Sequence, residues 1–152
     1  LCLEVLPERI EAYDISNIGK EHITASMVVW KGGKLSRSDY RVFNIKTTGG
    51  QDDYGSMREV ISRRLNRYVE AQDADDAFGV LPDLILLDGG QGQVNAVKPI
   101  IEAFGYDIPV FGMVKDSKHP GEKPLRTYSG PKYLGGVSDH CPVILMVNLQ
   151  NY

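Results

Sequence analysis

Alternation of apolar and polar positions marks the first part of the chain. Arg9–Ile15 (RIEAYDI) alternates and is rich in β-formers, and Ile23–Trp30 (ITASMVVW) is a second β-rich run. Lys31-Gly32-Gly33-Lys34 follows with two glycines, the punctuation of a hairpin. Tyr40–Ile45 alternates again. Three consecutive strands with short turns predict an antiparallel meander.

The period then changes. Gly49-Gly50 ends the third strand, and Asp52 or Asp53 is placed to cap a helix. Met57, Val60, Ile61, Leu65, Tyr68 and Val69 recur at helical spacing, with Arg58, Arg63, Arg64 and Arg67 on much of the remaining surface. Asp73, Asp75 and Asp76 read as a solvated connection. Leu81–Leu87 is a short apolar run closed by Asp88-Gly89-Gly90, the signature of a buried parallel strand. Gln91–Phe104 has helical spacing, and Pro99 inside it predicts a kink or break. Ile108–Val114 is another buried strand; polar text follows from Lys115 until a last apolar run, Cys141–Leu149. The order β-β-β-α-β-α-β predicts an α/β fold: a mixed sheet, three antiparallel strands then α-β-α-β, with helices on its faces. The ribonuclease-H-like fold is the best-known architecture of this kind.

Length and charge narrow the picture. The 152 residues suit one domain, and 42% hydrophobic with 24% charged residues excludes a disordered or collagen-like chain. Cys2 and Cys141 are too few for a disulfide scaffold. No apolar run approaches the ~20 residues of a membrane helix, so no membrane partner is expected. The net charge of −3 disfavours coating nucleic acid by bulk charge but leaves a local basic groove open. The start at Leu1 rather than Met points to a fragment.

Two acidic residues stand out. Asp14 lies within the first strand, and Asp88 closes a strand of Leu and Ile. A buried carboxylate is costly unless paired or bound to a metal. On neighbouring parallel strands the two carboxylates would converge, repel, and call for a hard cation such as Mg²⁺ or Mn²⁺. Either aspartate alone also reads as a turn former, Asp14 through Ser16 and Asn17, Asp88 before Gly89-Gly90. Gly89, Gly90 and Gln91 open the second helix, where small residues and a helix N-terminus favour a phosphate. Basic residues cluster at Lys31–Lys46, along the first helix, and at Lys115–Lys132, three clusters around the candidate edge that suit a DNA backbone path. Each also reads as a solvated face. Tyr40, Tyr54 and Tyr68 fit packing or base stacking.

Several of these segments together resemble a known family. Glu11–Ile18 (EAYDISNI), Ala25–Val29, Tyr40–Lys46, Asp52-Asp53 with Met57–Val60 and Arg63-Arg64, Pro82–Gln93 (PDLILLDGGQGQ) and Ile108–Asp116 are similar in order and spacing to the C-terminal, ribonuclease-H-like endonuclease domain of the UvrC family, the incising subunit of the bacterial UvrABC excinuclease. The resemblance covers roughly residues 1–119, leaving 120–152 as an atypical tail. It implies a cytoplasmic, bacterial, metal-dependent endonuclease of nucleotide excision repair and the SOS response. Its substrate would be damaged double-stranded DNA, cut 5′ of the lesion with Mg²⁺ or Mn²⁺, and its partner UvrB would bind through parts absent here. It makes Asp14 and Asp88 the catalytic, metal-binding aspartates. Lys115 would lie near the phosphate, with Asp116 as a further metal-site carboxylate. Lys46, Arg63, Arg64, Gly89, Gly90, Gln91 and Lys118 would contact DNA.

The tail departs from that family's pattern. Where the family carries a basic run and then a helix with a catalytic His, this chain has Lys118-His119-Pro120-Gly121. Gly136–Val143 instead looks like the Ser-Asp-His-x-Pro motif of the exonuclease-endonuclease-phosphatase superfamily, here Ser138-Asp139-His140. His140 would substitute for the missing metal-site residue if it reaches the metal edge. The competing expectation is a catalytically inactive DNA- or protein-binding fragment of the same domain. A small nuclease built on Ser138-Asp139-His140 would need a longer β-sandwich than this chain supplies.

Overall fold

The structure, a computed structural model, describes residues 6–18, 22–46, 52–71 and 76–113, together with two short strands at 128–129 and 132–133. The chain divides into two compact units, Leu1–Val114 and Lys115–Tyr152. In the second unit, β7 (Tyr128–Ser129) pairs antiparallel with β8 (Lys132–Tyr133).

The first unit is built on one mixed sheet. β1 (Arg9–Ile18) pairs antiparallel with β2 (His22–Lys31) over their full lengths, from Arg9 opposite Lys31 to Ile18 opposite His22. Lys31–Lys34 makes the expected two-residue hairpin, with Gly32 and Gly33 at φ +56° and +87°. Two successive left-handed residues match the twist of the flanking strands, and glycine takes them without a Cβ penalty. The third strand of the meander is divided. A short β3 (Lys34–Leu35) pairs with one end of β2, a 3-10 turn intervenes at Arg37–Asp39, and β4 (Arg41–Asn44) pairs with β2 opposite Thr24–Met27. β5 (Leu84–Asp88) and β6 (Val110–Met113) then add in parallel beyond β1. The strand order is β3-β2-β1-β5-β6, with β4 beside β2.

Strand alternation sorts the side chains onto two faces. Tyr13, Ala25, Met27, Val29, Phe43, Ile85, Leu87 and Val110 form one core face. Two helices supply its other half: α1 (Asp53–Glu70) through Met57, Val60, Ile61 and Leu65, and α2 (Gln91–Ala103) through Val94, Val97 and Ile101. Asp52 caps α1, its carboxylate accepting from the Gly55 N–H at 2.9 Å. α2 runs through Pro99 without a break. Pro99 and Asn95, whose carbonyl loses its helical partner, are both exposed, so water can take that bond. Both described helices pack on this one face, whereas the sequence predicts helices on both. The opposite face carries Ile10, Ala12, Asp14, Ser26, Val28, Leu84 and Leu86, all buried.

The core face also holds a charged network. Glu11 and Arg64 are 0% and 1% exposed, and Arg9 is 3% exposed. Glu11 accepts from Arg9 Nε at 2.9 Å, from Arg64 Nη2 at 2.8 Å and from the Tyr13 hydroxyl at 2.7 Å. Arg64 also donates to the carbonyls of Phe78 and Val80, and Arg9 to Ala77 O and Asp39. The network therefore ties β1 to α1 and to the segment that leads into β5. Burial alone would lower the Arg64 pKa; the hydrogen bond and charge of Glu11 outweigh it and raise it. Tyr13 is raised well above its usual value by burial and then by Glu11.

Candidate active site

Asp14 and Asp88 converge through strand register. Tyr13 on β1 is paired with Leu87 on β5, the last pair of that parallel ladder. The next residue on each strand is the aspartate, so the two stand at one level. Because Tyr13 and Leu87 face the helices, Asp14 and Asp88 project from the opposite face. Asp14 is 8% exposed and accepts from the Ser16 hydroxyl at 3.2 Å; Asp88 is half-buried. On its other side Asp88 is in register with Met113 of β6. Ser16, read from the sequence only as a turn partner of Asp14, lies within β1, where its spacing of two puts both on one face.

The turn beyond Asp88 is closely packed. Gly89 N–H donates to Met113 O at 3.1 Å, extending the parallel ladder. A Cβ on Gly112 would collide with the Gly89 carbonyl oxygen and stand 3.0 Å from Gly90 O. β6 can press against this turn only because Gly112 lacks a side chain. Gly90 caps α2 without any side-chain hydrogen bond; the Gln93 N–H donates to Gly90 O at 3.1 Å, and the Gln91 and Gly92 amides are left without a side-chain cap beside Asp88. α1 and α2 lie parallel and side by side. Tyr54 in the first turn of α1 lies against Gly92 in the first turn of α2, and at the other end the rings of Tyr68 and Tyr106 are 5.8 Å apart. Both positive helix ends therefore lie at the pole of the sheet where Asp88 sits.

The basic residues fare unevenly. Lys46 is exposed, with its backbone N–H held by Glu59 at 3.0 Å. Arg63 is part-exposed, bonded to Asn44 O at 2.7 Å and Glu59 at 3.1 Å, and lies over the Phe43 ring. Arg64, expected at a DNA-facing surface, is instead buried: its donors turn inward to Glu11 and two carbonyls, so it holds the core. Lys31 and Lys34 lie toward the other end of β1 from the aspartates. Lys31 is in register with Arg9, five residues along β1 from Asp14, which places that hairpin about 17 Å from the aspartate. Gly89, Gly90 and Gln91 sit at the turn as expected, with Gln91 bonded to Asn95. Lys115, Asp116, Lys118 and His140 lie outside the described residues, as do Gly49-Gly50, Asp73, Asp75 and the Cys141–Leu149 run.

Among the described residues no group of three or more His, Cys, Asp and Glu is placed to hold a metal ion. Two carboxylates nonetheless fit a hard divalent cation, which commonly takes one or two carboxylates and completes its shell with water and substrate phosphate oxygens. No helix among the described residues is long and apolar enough to cross a membrane.

A five-position sheet with a central antiparallel pair, parallel strands added on one side and an aspartate at the middle of β1 beside another at the end of β5 defines a ribonuclease-H-like domain. The chain matches the family model of the UvrC RNase H endonuclease domain over residues 1–142, past the expected limit near residue 119. It is 49% identical over 131 residues to UvrABC system protein C of Acetivibrio thermocellus, covering 78% of this chain and 21% of that protein. It is 49% identical over 112 residues to the protein of the same name from Finegoldia magna, covering 74% and 18%. The chain belongs to the UvrC RNase H endonuclease domain family, and it spans about one fifth of the length of the curated relatives it matches. A solved endonuclease V of Ciona intestinalis, in complex with inosine-containing DNA, overlaps 70% of this chain and 45% of its own at 15% identity and a TM-score of 0.45.

Proposed function

We propose that this chain is the phosphodiester-cutting domain of a UvrABC-type excinuclease. It incises the damaged strand of double-stranded DNA on the 5′ side of a lesion, in the bacterial cytoplasm, with UvrB engaged by other parts of the full-length protein. The observation that carries this reading is the register of β1 and β5, which brings Asp14 and Asp88 to one level of one sheet face.

Asp14 and Asp88 would hold Mg²⁺ or Mn²⁺ there, with the Ser16 hydroxyl orienting Asp14. When bound, such an ion would supply Lewis-acid polarisation of a phosphoryl oxygen and a more acidic water. The chain's own part is to fix the phosphate and to offset the charge that builds on its oxygens. Lys115 follows Met113, the register partner of Asp88, by only two residues, which supports a place for it beside the phosphate. Asp116 and His140 are assigned as further metal-site groups by the sequence pattern. Lys46, Arg63, Lys118 and the turn Gly89-Gly90-Gln91 contact the DNA backbone.

The test is nicking of supercoiled plasmid by the 152-residue chain with Mn²⁺. Asp14→Ala and Asp88→Ala should each abolish it while leaving DNA affinity largely intact. Undiminished nicking by both variants would overturn the assignment. Salt-sensitive DNA binding without cutting under any divalent ion would favour the inactive binding module instead.

A further inference from the structure

The side of the Asp88–Gly90 turn that faces the helices is built, yet the two aspartates do not use it. Gln93 is 9% exposed, and its Oε1 has no hydrogen-bond partner among the described residues. A buried, unmet amide group is costly and rare. The side chain folds back beneath the turn: its Cδ and Nε2 would stand 2.7 Å and 2.9 Å from a Cβ on Gly89. Above the same helix start, the Tyr54 hydroxyl lies 2.6 Å from where a Cβ on Gly92 would be. Tyr54 is half-exposed, and its hydroxyl makes no hydrogen bond among the described residues. At the same helix start the Gln91 and Gly92 amides have no side-chain cap, while the Gln93 N–H is taken by Gly90 O.

We propose that Tyr54, Gln93 and the first turn of α2 form a seat for a DNA backbone phosphate other than the one being cut. This deepens the endonuclease reading and rests on it. The scissile phosphate belongs with Asp14 and Asp88 on the opposite face of the sheet, so a phosphate on the helix side of the turn is a neighbour along the strand. The chemistry fits a phosphodiester anion. The N-terminus of α2 has no side-chain cap, whereas that of α1 is already met by the Asp52 carboxylate, so α2 supplies the free positive end. The Tyr54 hydroxyl is a donor, and Gly92 leaves room for it. The Gln93 amide exchanges the places of its oxygen and nitrogen by a half turn about Cγ–Cδ, which puts an N–H donor in place of the unpartnered oxygen. Tyr54 and Gln93 are positioning residues: they fix where the strand lies relative to the aspartates.

The experiment uses the 152-residue chain and a short DNA duplex whose main nick position is first mapped with Mn²⁺. Single methylphosphonates, which remove one phosphate charge, are then placed at each position flanking that nick. Single-turnover nicking is followed against protein concentration. One flanking position should raise the half-saturating concentration about tenfold or more, the value of a charge-assisted hydrogen bond, with the maximal rate little changed. Tyr54→Phe and Gln93→Leu should raise it similarly on the plain duplex, and should add nothing at that one position. Effects that multiply equally at every position would mean a merely structural role and overturn the proposal. So would a flat scan while nicking still depends on Asp14, an outcome that leaves the endonuclease reading standing. Absence of nicking by the unaltered chain overturns both. If Gln93→Leu fails to fold, Tyr54→Phe decides alone.

Discussion

Glu11→Gln should be among the most damaging isosteric changes available in this domain. The substitution keeps the shape of the side chain and removes one negative charge. In its place it puts an NH₂ group that faces guanidinium donors. Glu11 accepts from Arg9 at 2.9 Å, from Arg64 at 2.8 Å and 3.0 Å, and from Tyr13 at 2.7 Å. Arg64 would keep the Phe78 and Val80 carbonyls and at most one neutral amide oxygen, while Arg9 would keep Ala77 O and Asp39, whose side chain is 16% exposed. Leaving a buried guanidinium without its counter-ion typically costs about 3–5 kcal/mol. A domain of this size is stable by roughly 5–15 kcal/mol, so the loss is a large share. Urea melts at neutral pH measure it directly. The double variant Glu11→Gln/Arg64→Met removes the stranded charge and should recover about 1–3 kcal/mol relative to the sum of the single changes. If Glu11→Gln lost less than about 1 kcal/mol, or if the two changes were strictly additive, the network would not be the clamp described above.

Two further outcomes follow from the same geometry. Tyr13 has a folded pKa raised above its unfolded value by burial and by Glu11. Its contribution is therefore complete below about pH 10, the unfolded value, and is lost as pH rises through the folded pKa. The stability difference between the unaltered chain and Tyr13→Phe should shrink in alkaline melts, and a difference that grew with pH would refute this. Gly112→Ala should destabilise by about 1–3 kcal/mol, because the new methyl meets the Gly89 and Gly90 carbonyl oxygens rather than a side chain that can swing away. Thermal melts and nicking should report the loss together, since the displaced turn is the one that follows Asp88.

Much of this arrangement is legible along the chain. The glycine pair at 32–33, the alternation of β1 and the cap at Asp52 are local signals, and local chemistry decides them. The two aspartates stand out because each interrupts an apolar strand, and the parallel pairing of their strands brings them level. The fate of Arg64 was readable as well. It sits in the series Met57, Val60, Ile61, Arg64, Leu65, which is the buried face of α1. Counting arginines as a surface stripe hides that spacing. The contacts of Tyr54 with Gly92 and of Gln93 with Gly89 leave little trace in the sequence. The first joins two helices whose residues lie far apart in the chain, and its geometry depends on parallel packing that no periodicity specifies. The division of the third strand into β3 and β4 depends on how β2, ten residues long, offers pairing to two short segments along one edge.

β1 explains how one strand serves both the core and the chemistry. Glu11 and Asp14 are three residues apart, an odd spacing, so a strand sends them to opposite faces. On the helix side, Glu11 meets two guanidiniums supplied by the chain, one on its own strand and one from α1. Its charge is settled inside the fold, and it fixes β1 against the helix. On the other side, Asp14 meets a second carboxylate strand at its own level. Two acidic groups brought that close favour the arrival of a cation. A one-residue slip of β1 against β2 and β5 would exchange these faces, turning Glu11 away from Arg64 and Asp14 into the helix core. The Arg64–Glu11 pair thus opposes the very slip that would dismantle the aspartate pair. That makes a long-range prediction of sign: Glu11→Gln should weaken Mn²⁺ binding measured by calorimetry, although Glu11 faces away from the site. The companion change Arg64→Met should restore part of that binding along with the stability. Full-strength binding by a Glu11→Gln protein that has lost several kcal/mol would show that register is held by the apolar pattern alone.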